Sequence, residues 1–185
     1  SSSEAGGYKR PHCQTAAPGV TGPPAPIHVP EVAHVLGYEG ELGIVIGRHA
    51  RHVSRDDAAD YIAGYVVVND ATVRDWQFRT PTWTLGKSFD THGPIGPWIV
   101  TTDELTDPHQ SALRTYVNDE LRQESNTKHL IFNCFEHVEY LTKAFTLEPG
   151  DIIATGTPSG IGVLMKPPQL LKEGDVVRIE IEGIG

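Results

Sequence analysis

Two acidic residues in the first quarter of the chain have a spacing that suits a divalent cation. Glu39 and Glu41 come just before the aliphatic run Leu42–Ile46, which predicts a buried strand. Side chains at positions i and i+2 of a strand point to one face, with their Cα atoms roughly 7 Å apart. Two carboxylates held so close to buried residues are costly unless a positive charge lies between them. The spacing therefore favours a hard dication here.

Asp70 offers a third carboxylate from a second strand. The continuous β-branched run Gly64–Asp70 is typical of a buried strand and places Asp70 at its end. Three carboxylates form an all-oxygen ligand set, which favours Mg²⁺, Mn²⁺ or Ca²⁺ over zinc or copper. Such a set leaves about three of six octahedral positions for water or substrate. The alternative is that the two glutamates are solvated and that Asp70 closes a turn.

Further polar residues could bind an anion beside that metal. Arg74 and Gln77 are three residues apart and share a face if this stretch is helical. Lys87 lies in a polar loop and could polarise a carboxylate or an oxyanion. Thr157, in a Gly-Thr-Pro loop, could present its hydroxyl and a neighbouring backbone N–H to a carboxylate. For all four residues, an ordinary surface or turn role is the alternative.

The bulk properties limit the classes of function. With 185 residues, of which 38% are hydrophobic, the chain can bury one sizeable core. A net charge of -9 argues against nucleic acid and anionic membranes as partners. No apolar run has the length of a membrane span, and the start does not resemble a signal peptide. The two cysteines, Cys13 and Cys134, suggest no disulfide framework, which favours a reducing cytoplasm.

The elements that must position these residues predict an α+β domain that is mainly β. Residues 1–30 are rich in proline and glycine and predict an irregular lid or arm, or an incomplete piece of something larger, ahead of a catalytic metal-binding domain at 31–185. A helix is expected from Ser54 to Gly64, and a longer one over Leu130–Phe145. A hairpin is expected at 112–123, with its turn at Asn118-Asp119. The prolines of Gly93–Pro97 argue against a central strand there.

Seven motifs, in order, resemble the fumarylacetoacetate hydrolase family over a region from about Thr21 to the last residue. They are Tyr-Glu-x-Glu-Leu at Tyr38–Leu42, Asn-Asp-x-x-x-Arg-Asp-x-Gln within Gly64–Gln77, Gly-Lys-Ser-Phe-Asp at Gly86–Asp90, Gly-Pro-Trp at Gly96–Trp98, Leu-x-Pro-Gly-Asp at Leu147–Asp151, Gly-Thr-Pro-Ser-Gly at Gly156–Gly160 and a closing Glu-Ile-Glu-Gly-Ile-Gly.

This resemblance implies a mixed β-sandwich roll, usually a homodimer, that holds one Mg²⁺ or Mn²⁺, with Ca²⁺ as a possible substitute. By motif, Glu39, Glu41 and Asp70 fall on the family's metal ligands. The substrate-contacting positions of the family fall on four residues, namely Arg74, Gln77, Lys87 and Thr157. Lys87 would lie beside the negative charge that develops during the reaction, which makes it a catalytic candidate.

The resemblance also implies the chemistry, with small keto acids as substrates. Family members hydrolyse carbon–carbon bonds of acylpyruvates such as fumarylpyruvate; others decarboxylate oxaloacetate or isomerise and decarboxylate hydroxymuconate-type dicarboxylates. A catalytically silent homologue is a third expectation. Hydrolysis needs a base to activate water, which the family supplies as His-x-x-Glu on an N-terminal lid. Glu4 aligns with that glutamate and is the second catalytic candidate, but Ser1 stands where the histidine belongs.

Overall fold

The computed structural model describes residues 15–32 and 34–185. Strands dominate this part of the chain, and only two segments are α-helical. The strands are β1 Val20–Thr21, β2 Leu36–Gly37, β3 Gly40–Ile46, β4 Ile62–Asn69, β5 Thr72–Val73, β6 Gly93–Thr101, β7 Ala112–Val117, β8 Glu120–Asn126, β9 Ile152–Ala154 and β10 Val177–Ile181, and the helices are α1 Arg74–Gln77 and α2 Cys134–Ala144. The predicted class, α+β and mainly β, is confirmed.

The strands form three sheets, and strands β3 and β4 lie in the middle of the largest. Its order is β1-β6-β4-β3-β9, while β10-β7-β8 and β2-β5 form two smaller sheets. The pairing is mixed, because β1 runs parallel to β6 and the other neighbours are antiparallel. No helix in the described residues is long and apolar enough to cross a membrane.

Strand β3 has two buried faces with different neighbours. Leu42, Ile44 and Ile46 pack into the main core with helix α2, whereas Val45 packs into a smaller cluster on the opposite face. Because strand side chains alternate between faces, Glu41 lies on the same side as Val45. The strand therefore turns Leu42, Ile44 and Ile46 into the main core and Glu41 to the opposite face.

Helix α2 is shorter than its apolar periodicity predicted. It begins at Cys134 because the Asn133 side chain accepts hydrogen bonds from the N–H groups of Phe135 and Glu136, and Glu136 bonds back to the N–H of Asn133. This capping box ends the helix on the N-terminal side. The first expected apolar residue, Ile131, precedes the cap and is 76% exposed. The helix expected from Ser54 is only a 3₁₀ turn at Ala58–Tyr61.

Two expectations, one based on a glycine and one on prolines, were wrong. Gly64 does not end a helix but lies inside β4, where any side chain would collide with the carbonyl of Val100 on β6. Strand β6 includes Pro94 and Pro97. Between the pairs Val67↔Gly96 and Tyr65↔Val100, three residues of β6 oppose one of β4, so Pro97 lies in a bulge where its missing N–H is not needed.

The hairpin β7–β8 confirms its prediction and packs against the start of β3. Asn118 and Asp119 both have positive φ, at 50° and 65°, as a tight hairpin turn requires. Gly40 permits the approach of this hairpin, because a Cβ there would collide with Thr115 Oγ1. The division of the chain at residue 30 stays a prediction.

Candidate functional site

Three acidic side chains converge at the start of β3. Ligand oxygens of Glu39, Glu41 and Asp70 all lie within 4.8 Å of one another. Glu39 and Glu41 flank Gly40, and the N–H of Asp70 donates to the carbonyl of Glu39 at 2.9 Å. The β3–β4 pairing thus brings the third carboxylate beside the other two. Both glutamates are buried, with 7% of Glu39 and 3% of Glu41 exposed.

Lys87 contacts this cluster directly. Its Nζ donates to Glu39 Oε2 at 2.7 Å, to Thr72 Oγ1 at 3.1 Å and to Asp70 Oδ2. The lysine itself is buried, with 4% exposed. The structure therefore places the predicted catalytic lysine in hydrogen bonds with two of the three predicted ligands, Glu39 and Asp70, and close to the third, Glu41.

Arg74 and Gln77 lie next to the same cluster. Arg74 Nη2 donates to Glu39 Oε1 at 2.5 Å, and Arg74 Nη1 donates to Gln77 Oε1 at 2.9 Å. Both residues belong to the single turn of α1, which packs on a 3₁₀ turn at Thr84–Lys87. Gly86 allows this contact, because a Cβ there would lie 2.5 Å from the backbone N of Gln77. The close packing of two short turns places Arg74, Gln77 and Lys87 together.

Thr157 also reaches the site, although its hydroxyl contacts protein atoms. Its Oγ1 donates to the carbonyl of Gly40 at 3.0 Å and accepts from Gln123 Nε2 at 2.8 Å. The preceding N–H, of Gly156, donates to Glu41 Oε2 at 2.7 Å. The sequence interpretation included the Gly-Thr-Pro loop but missed Gln123. The one signal that could have identified Gln123 was its place on the inner side of the predicted hairpin.

Glu4, the second catalytic candidate, lies outside the described residues. Its role stays a prediction, as does the lid to which it would belong.

Burial and mutual repulsion raise the pKa values of two carboxylates. The pKa of Glu41 lies well above its ordinary value because of burial and of the neighbouring Asp70 and Glu39 carboxylates, which Lys87 and the Gly156 N–H only partly offset. Burial likewise raises the pKa of Asp70, against the influence of Lys87. Burial alone would lower the pKa of Lys87, but the Asp70 and Glu39 carboxylates outweigh it and raise that pKa. Lys87 therefore stays charged at neutral pH.

The cluster fits a hard divalent cation on its own chemistry. All three ligand groups are carboxylates, which suit Mg²⁺, Mn²⁺ or Ca²⁺. Burial and the neighbouring carboxylates raise the pKa values of Glu41 and Asp70 although Lys87 lies beside them, so a dication would favour the charged form of both groups. Glu39, Glu41 and Asp70 could thus hold a metal ion.

Metal binding should strengthen as the pH rises. Carboxylates with raised pKa values hold protons in weakly acidic solution, and a metal ion must displace those protons to bind. Without metal, the contribution of both groups to folding stability falls as the pH rises from their unfolded-state pKa values toward their folded-state values. We expect the increase in Tm caused by Mn²⁺ to grow steadily between about pH 5 and pH 8. Thermal unfolding at fixed Mn²⁺ concentration measures it, and an increase that shrinks with rising pH would contradict the assignment.

The sequence matches the family model described as "Fumarylacetoacetate (FAA) hydrolase C-terminal" over residues 8–185. The chain belongs to the fumarylacetoacetate hydrolase family. The resemblance of its motifs is thereby confirmed. The relatives described next bear names from more than one class of reaction.

One curated relative is "Oxaloacetate tautomerase fahd2, mitochondrial" from Xenopus laevis, which is 44% identical over 171 residues. That match covers 91% of this chain and 54% of the relative. The chain therefore spans about half the length of this curated relative.

Solved structures of the family confirm the fold. Fumarylacetoacetate hydrolase from Exiguobacterium antarcticum superimposes with a TM-score of 0.90 at 42% identity, covering 92% of this chain and 62% of that one. Maleylpyruvate hydrolase from Sphingobium sp. SYK-6, in complex with manganese (II) ion and pyruvate, gives a TM-score of 0.82 at 36% identity, covering 92% and 60%. The predicted mixed β-sandwich roll is the fold of these neighbours.

Proposed function

We propose that this chain forms a metal-dependent active site that hydrolyses a carbon–carbon bond in an acylpyruvate-type substrate such as fumarylpyruvate. One observation carries the proposal, namely the buried group in which Glu39, Glu41 and Asp70 converge and Lys87 and Arg74 contact them. The manganese ion and pyruvate in the related maleylpyruvate hydrolase support both the metal and the class of substrate.

Glu39, Glu41 and Asp70 would hold Mg²⁺ or Mn²⁺, with Ca²⁺ as a possible substitute. A dication held there supplies Lewis acidity toward the oxygens of a keto acid. Lys87 remains protonated and donates hydrogen bonds to the oxygen on which negative charge develops. Its present acceptors are carboxylate oxygens, so an oxyanion of the substrate would meet the same ammonium group at the same place.

Arg74 and Gln77 would orient the substrate. Gln77 accepts from Arg74 through Oε1, which leaves its amide N–H groups to donate to a substrate oxygen. The Arg74 guanidinium, which contacts Glu39, attracts the carboxylate of a keto acid. Thr157 would bind the substrate from the loop after β9.

Hydrolysis requires that a base take a proton from the attacking water. We propose Glu4 for this step, on a lid that closes over the substrate. The water oxygen attacks the acyl carbonyl, the carbon–carbon bond breaks, and its electrons pass to the pyruvate half as an enolate, which then takes up a proton. Lys87 stabilises the charge of that enolate.

A second candidate function is isomerisation, tautomerisation or decarboxylation of a dicarboxylic keto acid such as oxaloacetate. The name of the Xenopus laevis relative, an oxaloacetate tautomerase, favours it. These reactions share the developing enolate and the role of Lys87 but need no attacking water, and an acid–base group is needed only to carry a proton to or from carbon.

We further propose a homodimer in a reducing compartment, with the cytoplasm as the expected one. The family resemblance supports the dimer. Cys134 is a free, buried thiol, and the sparse use of cysteine supports a reducing compartment without distinguishing the cytoplasm from the mitochondrial location in the name of the Xenopus laevis relative.

Product analysis of the full-length protein tests the function. Acetylpyruvate, fumarylpyruvate and oxaloacetate are each supplied after EDTA treatment, with and without added Mg²⁺ or Mn²⁺. We expect metal-dependent release of pyruvate and a second acid from an acylpyruvate. Release of CO₂ or enol–keto conversion of oxaloacetate, without acylpyruvate cleavage, would favour the second candidate. No turnover of any substrate would contradict both and support a catalytically silent homologue.

A further inference from the structure

We propose that Gln123 is a positioning residue that sets the geometry of the metal ligands from outside the site. It acts through a closed ring of hydrogen bonds with Gly40 and Thr157. The inference rests on the proposed metal site, since its consequence is the direction in which Glu39 and Glu41 point.

Both N–H groups and the oxygen of one buried amide make hydrogen bonds in this ring or beside it. The N–H of Gly40 donates to Gln123 Oε1 at 3.1 Å, Gln123 Nε2 donates to Thr157 Oγ1 at 2.8 Å, and Thr157 Oγ1 donates to the carbonyl of Gly40 at 3.0 Å. The second N–H of Nε2 donates to the carbonyl of Pro158 at 3.0 Å. Gln123 is 1% exposed, so water cannot replace these partners.

The ring occupies a gap in the sheet. Strand β9 pairs with β3 only at Gly43–Val45, and among the described strands none continues beside the earlier residues of β3 on that side. Buried backbone groups need partners, and here Gln123 and Thr157 supply them to both polar groups of Gly40. Side chains thus supply the hydrogen bonds that a neighbouring strand would otherwise make beside the ligands.

The position of Gly40 links the ring to metal geometry. Gly40 lies between Glu39 and Glu41, so the orientation of its two peptide groups fixes the direction of both side chains. The hairpin that carries Gln123 is pressed against Gly40, where any Cβ would collide with Thr115 Oγ1. The hairpin therefore restrains Gly40 both by packing and through Gln123, and a substitution of Gln123 removes the second restraint.

A second link runs through the loop after β9. The ring fixes Thr157 and Pro158, and the adjacent Gly156 N–H donates to Glu41 Oε2 at 2.7 Å. This bond selects one orientation of the Glu41 carboxylate and leaves its other oxygen to face the remaining ligands. Outer hydrogen bonds of this kind typically change metal affinity about 10- to 100-fold when they are removed.

The test compares Gln123→Met with a control that loses a buried hydrogen bond just after the hairpin, in the 3₁₀ turn Thr127–His129. Thr127→Val is the control, because Thr127 is buried and accepts from the N–H of Ser111 at 2.9 Å, away from the ring. We expect Gln123→Met to raise the Kd for Mn²⁺ by about 10-fold or more, to alter the electron paramagnetic resonance spectrum of the bound ion, and to speed amide exchange in residues 155–160 of the metal-free protein. Thr127→Val should leave all three unchanged.

A second pair of variants tests the ring without changing the hairpin. Thr157→Val removes the hydroxyl and should weaken Mn²⁺ binding, while Thr157→Ser keeps the hydroxyl and should retain it. The Kd of the double variant Gln123→Met/Thr157→Val for Mn²⁺ should lie within about 2-fold of the higher of the two single-variant Kd values, because both changes break the same ring.

The possible failures are separable. Wild-type protein that binds no Mn²⁺ would contradict the proposed function, and amide exchange of the metal-free Gln123→Met protein would still decide whether Gln123 holds the loop. Wild-type affinity and spectrum in Gln123→Met, or multiplicative losses in the double variant, would overturn the inference. If Gln123→Met does not fold, the Thr157→Val and Thr157→Ser pair decides it.

Discussion

Replacing Glu41 by glutamine will remove metal binding and turnover without destabilising the metal-free protein. The amide keeps the size of the side chain and an oxygen that can accept from the Gly156 N–H. It removes a charged ligand, and we expect the Kd for Mn²⁺ to rise by more than the roughly 100-fold upper range for loss of an outer hydrogen bond. The raised pKa of Glu41 means that its charged form is unfavourable beside Asp70 and Glu39. Near pH 8, the metal-free variant should therefore gain on the order of 1 kcal/mol in free energy of unfolding, or about 2–4 °C in Tm.

Calorimetry with Mn²⁺ and thermal unfolding in EDTA measure the two effects of Glu41→Gln. The control is Glu173→Gln, which removes the same charge at an exposed position and should change neither quantity. Unchanged Mn²⁺ affinity in Glu41→Gln would contradict the ligand assignment. A large loss of metal-free stability would instead show that the carboxylate is needed for folding.

Replacing Lys87 by methionine should separate catalysis from metal binding. Methionine keeps the unbranched apolar stem of the side chain but removes a charge that contacts Glu39, Asp70 and Thr72. Loss of one preorganised donor to a developing oxyanion typically costs 10²–10³ in rate, and we expect a fall in kcat of about that size. Affinity for Mn²⁺ should stay the same or increase, because the ion no longer shares the carboxylates with an ammonium group.

Turnover and Mn²⁺ titration of Lys87→Met are compared with Lys172→Met, which removes an exposed lysine and should behave as the unchanged protein. In EDTA, Lys87→Met should be less stable, because three carboxylates lose a buried cation, and Mn²⁺ should restore that stability. A near-native kcat would remove Lys87 from the mechanism. A large loss of Mn²⁺ affinity would assign it to assembly of the site instead.

The sequence by itself determined the features that depend on local geometry. Glu39 and Glu41 share a face because the repeat of a strand is two residues, and Asn118-Asp119 forms the hairpin turn because both residues tolerate positive φ. The order of the family motifs established the fold. Local patterns failed where a neighbour decided the outcome: apolar periodicity extended helix α2 past the Asn133 cap, and the prolines of β6 concealed a strand that a bulge accommodates.

Only the tertiary structure decided how the site is completed. Lys87 reaches Glu39 from 48 residues along the chain because two short turns pack together at Gly86, a contact that no periodic pattern encodes. Gln123 lies 83 residues from Gly40 in the chain. It bonds to the Gly40 backbone at a place where β9 has ended and no strand among the described residues supplies a partner. Alternation and turn chemistry act between neighbours in sequence, whereas the satisfaction of buried polar groups depends on whatever the fold places beside them.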